Sequence, residues 1–549
     1  MSPEPASNPE LDSNRASDWH RHLPAGWSAG DVDLGAGGTL PGVWLDRWSS
    51  DPQRPVVWDV SEGWVTGAQL LERAQEVARR LASVGIVAGD RVLMSGPSST
   101  RLVAAHAALL GIGAVVVPLN GAYRADEVRN VVTDCRPAAA LIEDVGSPGE
   151  WEQWITSADP AVLTDRFDAA GLGDIGDEGS AAVDLAAGNL YLAEQARLRS
   201  STEPALIGYT SGTTGRPKGA VLSHANLLAS VRALELAWRW TSDDVLVLAL
   251  PLFHMHGLGV GLHGTLTVGA RAVLLPTFDP DDVFDAIAEH RATMFFGVPT
   301  MYSRLVASPR AAELSALRLC VSGSAPMPAE LHDAVREASD QHVIERYGMT
   351  ETVMLVSNPH DEPRRAGTVG FPLPGVEVRL DALDASDGEP DPVAGAGATE
   401  ILVRGPNVFS GYWERPGDNA ASFDDGWFRT GDLGVWDDGY LRIVGRAKEL
   451  IICGGFNVYP REVEEAIASH PEVIECAVGG ERDPEWGEVV VAYVVADRDF
   501  RRRRAEGLRG RAARLLQAPA PHLPHLGAAP QCARQVAAAR ARSTRRPLS

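Results

Sequence analysis

The chain has 549 residues, 45% of them hydrophobic and 22% charged. That is length for roughly two to four domains and a composition that excludes a wholly disordered chain. A formal net charge of −23 excludes nonspecific binding to nucleic acid or an anionic membrane by the body of the protein. Five cysteines, Cys135, Cys320, Cys453, Cys476 and Cys532, include no C-x-x-C spacing. Neither a disulfide framework nor a zinc site is indicated, and a reducing, cytoplasmic setting is expected.

Residues 1–40 are polar and rich in Gly, Pro and Asp, and read as a loose N-terminal segment without a signal-peptide core. From Trp44 onward helical and strand-like stretches alternate. Gly67 to Val84 reads as a helix, Asp90 to Met94 as a strand, Thr100 to Gly111 as a helix and Ala114 to Pro118 as a strand. The apolar run Leu102 to Leu119 is broken by His106, Gly111, Gly113 and Pro118, so it reads as a buried helix and strand, not an integral membrane segment. Residues 145–200 are weakly patterned and read as surface elaboration. A second α/β stretch follows over 205–345, in which Ala220 to Leu227 has a helical look. Beyond Gly370 the runs Val376 to Leu380, Glu400 to Val403 and Leu441 to Val444 are β-rich. A new unit starts near Gly445, with a helix over Arg461 to Ser469 and strands over Cys476 to Gly479 and Val489 to Val495. The expected class is α/β: a large domain over 41–444 with a β-rich subdomain, and a small α+β lid domain over 445–499.

The strongest motif is Tyr209-Thr-Ser-Gly-Thr-Thr-Gly-Arg-Pro-Lys-Gly219. Its glycines let backbone approach an anion, and its hydroxyls and Lys218 supply donors and charge. It is not the P-loop of nucleotide hydrolases. Glu345-Arg-Tyr-Gly-Met-Thr-Glu351 adds an aromatic ring for a base, a hydroxyl for phosphate and a carboxylate for Mg2+. Thr430-Gly-Asp432 offers an acceptor for ribose hydroxyls. Gly445-Arg-Ala-Lys-Glu-Leu-Ile451 and Gly454-Gly-Phe-Asn-Val-Tyr-Pro-Arg-Glu-Val-Glu464 complete the set.

This ordered set resembles the adenylate-forming superfamily over residues 40–496. The resemblance implies an ATP-dependent acyl-CoA ligase in which a carboxylate attacks the α-phosphate of ATP and the thiol of CoA then displaces AMP. It implies that Thr210, Ser211, Gly212, Thr213, Thr214, Gly215 and Lys218 form a phosphate loop. Tyr347 would flank adenine, Thr350 would touch the α-phosphate and Glu351 would hold Mg2+. Asp432 would bind ribose with Arg446 beside it, and Lys448 would mark the hinge of the small domain. Gly454, Gly455 and Phe456 would line the thiolation face. Loading of a separate carrier protein instead of CoA is a second acceptor reading, and a luciferase-like oxygenase a third.

In the same resemblance the acid pocket is built from His254, Gly297, Met301, Met349 and the run Gly323, Ser324, Ala325. The Glu345-Arg346 pair, Gly367-Thr-Val-Gly370 and Pro372-Leu-Pro-Gly375 look like the malonyl-CoA synthetase subgroup. A short dicarboxylate needs a cation for its second carboxylate, and Arg346 and Arg304 are the candidates. A structural Arg346 paired with Glu345 is the competing reading, and Gly455-Phe-Asn-Val-Tyr-Pro-Arg461 looks like the general fatty-acyl and aryl ligases. The identity of the acid therefore stays open.

One family element is missing. A catalytic lysine in a Pro-x-x-x-x-Gly-Lys stretch is expected near the C-terminus, yet no lysine follows Lys448. Residues 501–549 instead carry twelve arginines and one acid, Glu506, whereas the first 500 residues carry 38 basic and 72 acidic side chains. One allowed set of codons for Leu526 to Arg540, read one base later, gives W-A-L-P-R-N-A-L-G-K-L-L-R-R, which contains the missing motif. A frame change near residues 497–500 is the expected cause. It leaves the lid domain truncated, the tail over 500–549 out of frame and the adenylation half-reaction weakened.

Overall fold

The computed structural model describes residues 18–36, 38–143, 149–166, 191–210, 217–381, 399–453, 456–468, 473–483 and 486–496. The chain divides into two units. The first takes Met1–Val378 and Val403–Phe428, the second Arg379–Leu402 and Arg429–Ser549. The expected α/β class, with a large N-terminal and a smaller C-terminal domain, is what the chain adopts.

The first unit holds two sheets. One has seven strands in the order Gly411–Tyr412, Lys218–Ser223, Pro204–Thr210, Val115–Pro118, Arg91–Ser95, Ala139–Ile142 and Leu163–Arg166. The other has nine, from Phe371–Pro372 through Val356–Ser357, Ile344–Tyr347, Leu319–Ser322, Met294–Gly297, Val245–Leu248, Arg271–Leu274 and Pro55–Asp59 to Gly63–Thr66. The central pairs of each are parallel. Parallel strands covered by helices on both faces read as unbroken apolar runs, and Val115–Pro118, Val245–Leu248 and Met294–Gly297 are buried throughout. Phe284, Phe295, Tyr302 and Leu305 fill one core, and Val131, Cys135, Trp151 and Ile155 another.

Local chemistry sets the helix ends. Thr66 and Gln69 form a reciprocal cap at the start of Gly67–Ser83. Ser99 caps Thr100–Ile112, which stops at Gly113 with φ +83°. Ser223 and Asn226 cap His224–Trp238. The stretch Ala220 to Leu227 is therefore not one helix. Its first half continues the strand Lys218–Ser223, paired with Pro204–Thr210. Residues 149–166 also carry more order than surface elaboration. Glu150–Ala158 buries Trp151 and Ile155, and Leu163–Arg166 is the edge strand of the seven-stranded sheet.

Of the N-terminal segment, residues 1–17 lie outside the described residues. Asp18–His22 forms a short 3-10 turn with His22 buried, its Nε2 3.2 Å from Phe371 O. The Arg239 guanidinium donates to the carbonyls of His22 and Leu23.

The strand Trp427–Asp437, in the second unit from Arg429 on, turns at Asp438 and Gly439, both at positive φ, into Tyr440–Arg446. Positive φ at both central residues suits the right-handed twist of a two-residue hairpin. A four-stranded antiparallel sheet follows in the order Phe456–Val458, Ile451–Cys453, Gly487–Ala496 and Val473–Asp483, with the helix Pro460–Ala468. The expected truncation of this domain and the tail over 500–549 lie outside the described residues.

Candidate active site

The parallel strands Met294–Gly297, Leu319–Ser322 and Ile344–Tyr347 end side by side, and Gly323 N–H donates to Gly297 O at 3.3 Å. The carboxyl ends of parallel strands are where open α/β sheets place ligands. At Gly323 a Cβ would lie 2.4 Å from Arg346 Cζ, so only glycine leaves room for the guanidinium. Ser324 follows at φ +68°. Its hydroxyl lies 3.4 Å from both Arg346 Nη2 and His256 Nδ1.

Arg346 is 4% exposed, and its Nε has no hydrogen-bond partner among the described residues. Burial pulls its pKa down to about 9, against the opposing pull of Glu345, which leaves it charged at neutral pH. His256 is buried beside it, its Nε2 without a hydrogen-bond partner among the described residues, and burial and the Arg346 charge hold its pKa well below the usual value. His256–Leu262 is a turn of π-helix, a distortion often found at functional sites.

Glu345 does not pair with Arg346, because consecutive strand residues face opposite sides. Its carboxylate accepts from Met327 N–H at 3.0 Å and lies 3.3 Å from His332 Nε2. Arg304 is also removed from candidacy: it is exposed, 3.8 Å from Asp279. Tyr347 and Met349 are half-buried, while Ala325 and His254 are exposed. Met301 is half-buried against the core that contains Phe295 and Tyr302.

A second cluster lies at the hairpin Pro204–Thr210/Lys218–Ser223, where Thr210 is opposite Lys218. Thr210 Oγ1 is 3.4 Å from Lys218 O. The expected phosphate-loop residues Ser211, Gly212, Thr213, Thr214 and Gly215 lie outside the described residues. At Gly208 a Cβ would come within 2.4 Å of Thr350 Cγ2, so Thr350 sits directly on this hairpin. Glu351 is 4% exposed and its Oε1 accepts from the Tyr412 hydroxyl at 2.9 Å. Burial and this carboxylate push the Tyr412 pKa up. Lys218 Nζ lies 2.5 Å from Asp418 Oδ1. A hard oxygen donor at Glu351 fits Mg2+, which commonly takes one or two carboxylates plus substrate phosphates.

In the second unit Asp432 and Arg446 face each other across the hairpin, with Arg446 Nε 2.9 Å from Asp432 Oδ1. Asp432 N–H donates to Thr430 Oγ1 at 3.0 Å, and that hydroxyl donates to Ile401 O at 2.7 Å. The carboxylate is thereby held nearly buried, 4% exposed. Lys448 is exposed in the turn Ala447–Glu449. Gly454 and Gly455 lie outside the described residues. Phe456 opens the strand Phe456–Val458, opposite Cys453.

The structure thus gathers Gly297, Gly323, Ser324 and Arg346, then Thr210, Lys218, Thr350 and Glu351, and separately Asp432 with Arg446. The sequence reading missed the contributions of His256, Tyr412 and Asp418. His256 lies two residues from the expected pocket residue His254, but the sequence gives no reason to prefer it. Tyr412 and Asp418 are nearly 200 residues from Lys218, and only tertiary structure relates them.

Residues 45–413 match the AMP-binding enzyme family, and residues 462–540 match the AMP-binding enzyme C-terminal domain. The second match takes in most of the arginine-rich segment. The chain belongs to the AMP-binding enzyme family. It is 37% identical over 463 residues to an indoleacetate–CoA ligase of Aromatoleum aromaticum, covering 82% of this chain and 87% of that one. A feruloyl-CoA synthase of an Amycolatopsis species is 38% identical over 436 residues, covering 78% and 83%. Among solved structures, ATP-bound MatB from Rhodopseudomonas palustris is similar with a TM-score of 0.72 and 37% identity, covering 84% of this chain and 89% of that one.

Proposed function

We propose that the acid activated by this chain is a short dicarboxylate of the malonate class, with its second carboxylate on Arg346. The general reaction is that of an AMP-forming acid–thiol ligase: ATP activates a carboxylic acid as acyl-AMP, and CoA takes the acyl group as a thioester. One observation carries the finer reading. Arg346 is a buried guanidinium whose Nε has no hydrogen-bond partner among the described residues, and the Ser324 hydroxyl stands between its Nη2 and His256 Nδ1. A buried charge without a carboxylate partner is costly, and a dicarboxylate anion supplies the missing partner bidentately. Similarity to a malonyl-CoA ligase solved with methylmalonyl-CoA and AMP, 40% identical at TM-score 0.60, supports the same class.

In this reading Thr350 and Lys218 contact ATP phosphates and Glu351 holds Mg2+, roles supported by their clustering within the first unit; Asp432 is assigned to ribose hydroxyls on its own motif. Mg2+ supplies charge neutralisation between phosphates when bound. The protein's own part is positioning and electrostatic stabilisation. We infer a cytoplasmic setting from the sequence, whose five scattered cysteines without C-x-x-C spacing suit a reducing compartment. The test is a panel of acids, each assayed for CoA-dependent AMP release. Malonate and methylmalonate are expected to dominate octanoate, indoleacetate and ferulate; a preference for any monocarboxylate overturns the assignment.

A further inference from the structure

Lys218 and Lys448 are the two lysines of a chain that otherwise uses arginine for positive charge. Lys218 opens the strand Lys218–Ser223. Its ammonium lies 2.5 Å from Asp418 Oδ1 and 5.3 Å from the centroid of the Tyr412 ring. The hydroxyl of the same tyrosine donates to Glu351 Oε1 at 2.9 Å. One short segment therefore touches both a cation and a carboxylate of the phosphate site.

That segment is held in place by its own hydrogen bonds. Gly411–Tyr412 runs antiparallel to Lys218–Ser223, with Tyr412 opposite Ala220. Tyr412 N–H donates to Asn419 Oδ1 at 2.6 Å, and Asn419 Nδ2 donates back to Tyr412 O at 3.1 Å. At Gly411 a Cβ would lie 2.9 Å from the Asn419 amide, so a side chain there would push this clamp apart. Asp418 immediately precedes the clamping residue. Its position relative to Lys218 follows from the fold and not from a wandering surface side chain.

We infer that Tyr412 and Asp418 are positioning residues of the nucleotide-phosphate site. Asp418 holds Lys218 against the hairpin before nucleotide arrives and yields it to phosphate oxygens afterwards. Tyr412 fixes the rotamer of the Glu351 carboxylate. The inference rests on the reading of Lys218 and Glu351 as phosphate and Mg2+ ligands. The physical basis is competition. A carboxylate beside an ammonium stabilises its charge, but it also repels the phosphate that the ammonium must bind. The pair is only partly buried, with side-chain exposures of 19% and 36%, so its hold is modest and reversible.

The test is trace labelling of the nucleotide-free chain with acetic anhydride, read at Lys218 by mass spectrometry with Lys448 in the same molecule as reference. Asp418→Asn is expected to raise the Lys218/Lys448 labelling ratio about threefold, because the ammonium loses the carboxylate that engages it at 2.5 Å. It is also expected to tighten MgATP binding, by about two- to fivefold in isothermal titration. Asp418→Glu keeps the charge and is expected to restore the original ratio. Tyr412→Phe is expected to leave the ratio unchanged and to raise the Mg2+ concentration that half-saturates ATP binding. A ratio unchanged in Asp418→Asn, or MgATP binding weakened by it, overturns the role of Asp418. An unchanged Mg2+ requirement in Tyr412→Phe overturns that of Tyr412. Lys218→Met separates the two levels. If it leaves MgATP affinity unchanged, the phosphate-ligand reading falls and the inference with it; if it weakens binding while Asp418→Asn changes nothing, the inference alone falls.

Discussion

Replacing Arg346 by methionine separates the stability of the fold from its use. Burial lowers the guanidinium pKa from 12.5 to about 9. At 1.36 kcal/mol per unit, this amounts to about 5 kcal/mol by which the ligand-free site disfavours the charge. Methionine removes the charge and roughly fills its volume, while the weak 3.4 Å contact to Ser324 is lost. Arg346→Met is therefore expected to keep or raise the Tm of the ligand-free protein. Activity should move the other way. Truncating one partner of a buried, hydrogen-bonded charge pair costs about 2–5 kcal/mol, so kcat/KM for malonate should fall about 30-fold or more. Turnover of octanoate, which has no second carboxylate, should hold or rise. Differential scanning fluorimetry and a coupled AMP assay read the two effects. A malonate kcat/KM within threefold of the parent, or a Tm lowered by many degrees, would refute the assignment of Arg346 to substrate.

Three further outcomes follow from the same geometry. The free-enzyme profile of kcat/KM reports free-enzyme ionisations, and burial lowers the Arg346 pKa, so malonate activity should fall off on the alkaline side before octanoate activity does. Gly208→Ala places a methyl 2.4 Å from Thr350 Cγ2; overpacking of this kind costs about 1–3 kcal/mol, and ATP–pyrophosphate exchange should fall with it, whereas an unchanged exchange rate would remove Thr350 from the phosphate site. A chain carrying the shifted-frame reading of the C-terminal segment regains the Gly-Lys element. It should adenylate about 10²–10³-fold faster, as expected for one charge-stabilising donor, with thiolation of supplied acyl-AMP nearly unchanged; equal adenylation by both chains would show that this lysine is not needed.

How much was legible in the sequence depends on whether a feature is local. Gly67–Ser83 and Thr100–Ile112 carry their caps and periodicity within themselves, and both were read to within two residues. The strand Lys218–Ser223 was not, because its apolar residues suit either period and the pairing with Pro204–Thr210 decides the matter. The edge strand Leu163–Arg166 was lost for the same reason. In the candidate site, Lys218, Thr350 and Glu351 were named from contiguous motifs and lie in one cluster, and Asp432 with Arg446 forms a separate pair. The orientation of Arg346 was not available, since Glu345 and Arg346 are equivalent in sequence and strand alternation assigns them to opposite faces. The Tyr412–Glu351 and Asp418–Lys218 contacts required the fold.

The most direct measurement is AMP and CoA thioester formed side by side from malonate and from octanoate, using the ratio of their kcat/KM values so that a slow adenylation step cancels. AMP and thioester are expected in equal amounts with malonate, and the kcat/KM ratio should favour malonate by about 30-fold or more, the share assigned to a buried carboxylate–arginine pair. Thioester formation that favours octanoate, or AMP release that does not depend on CoA, would contradict it.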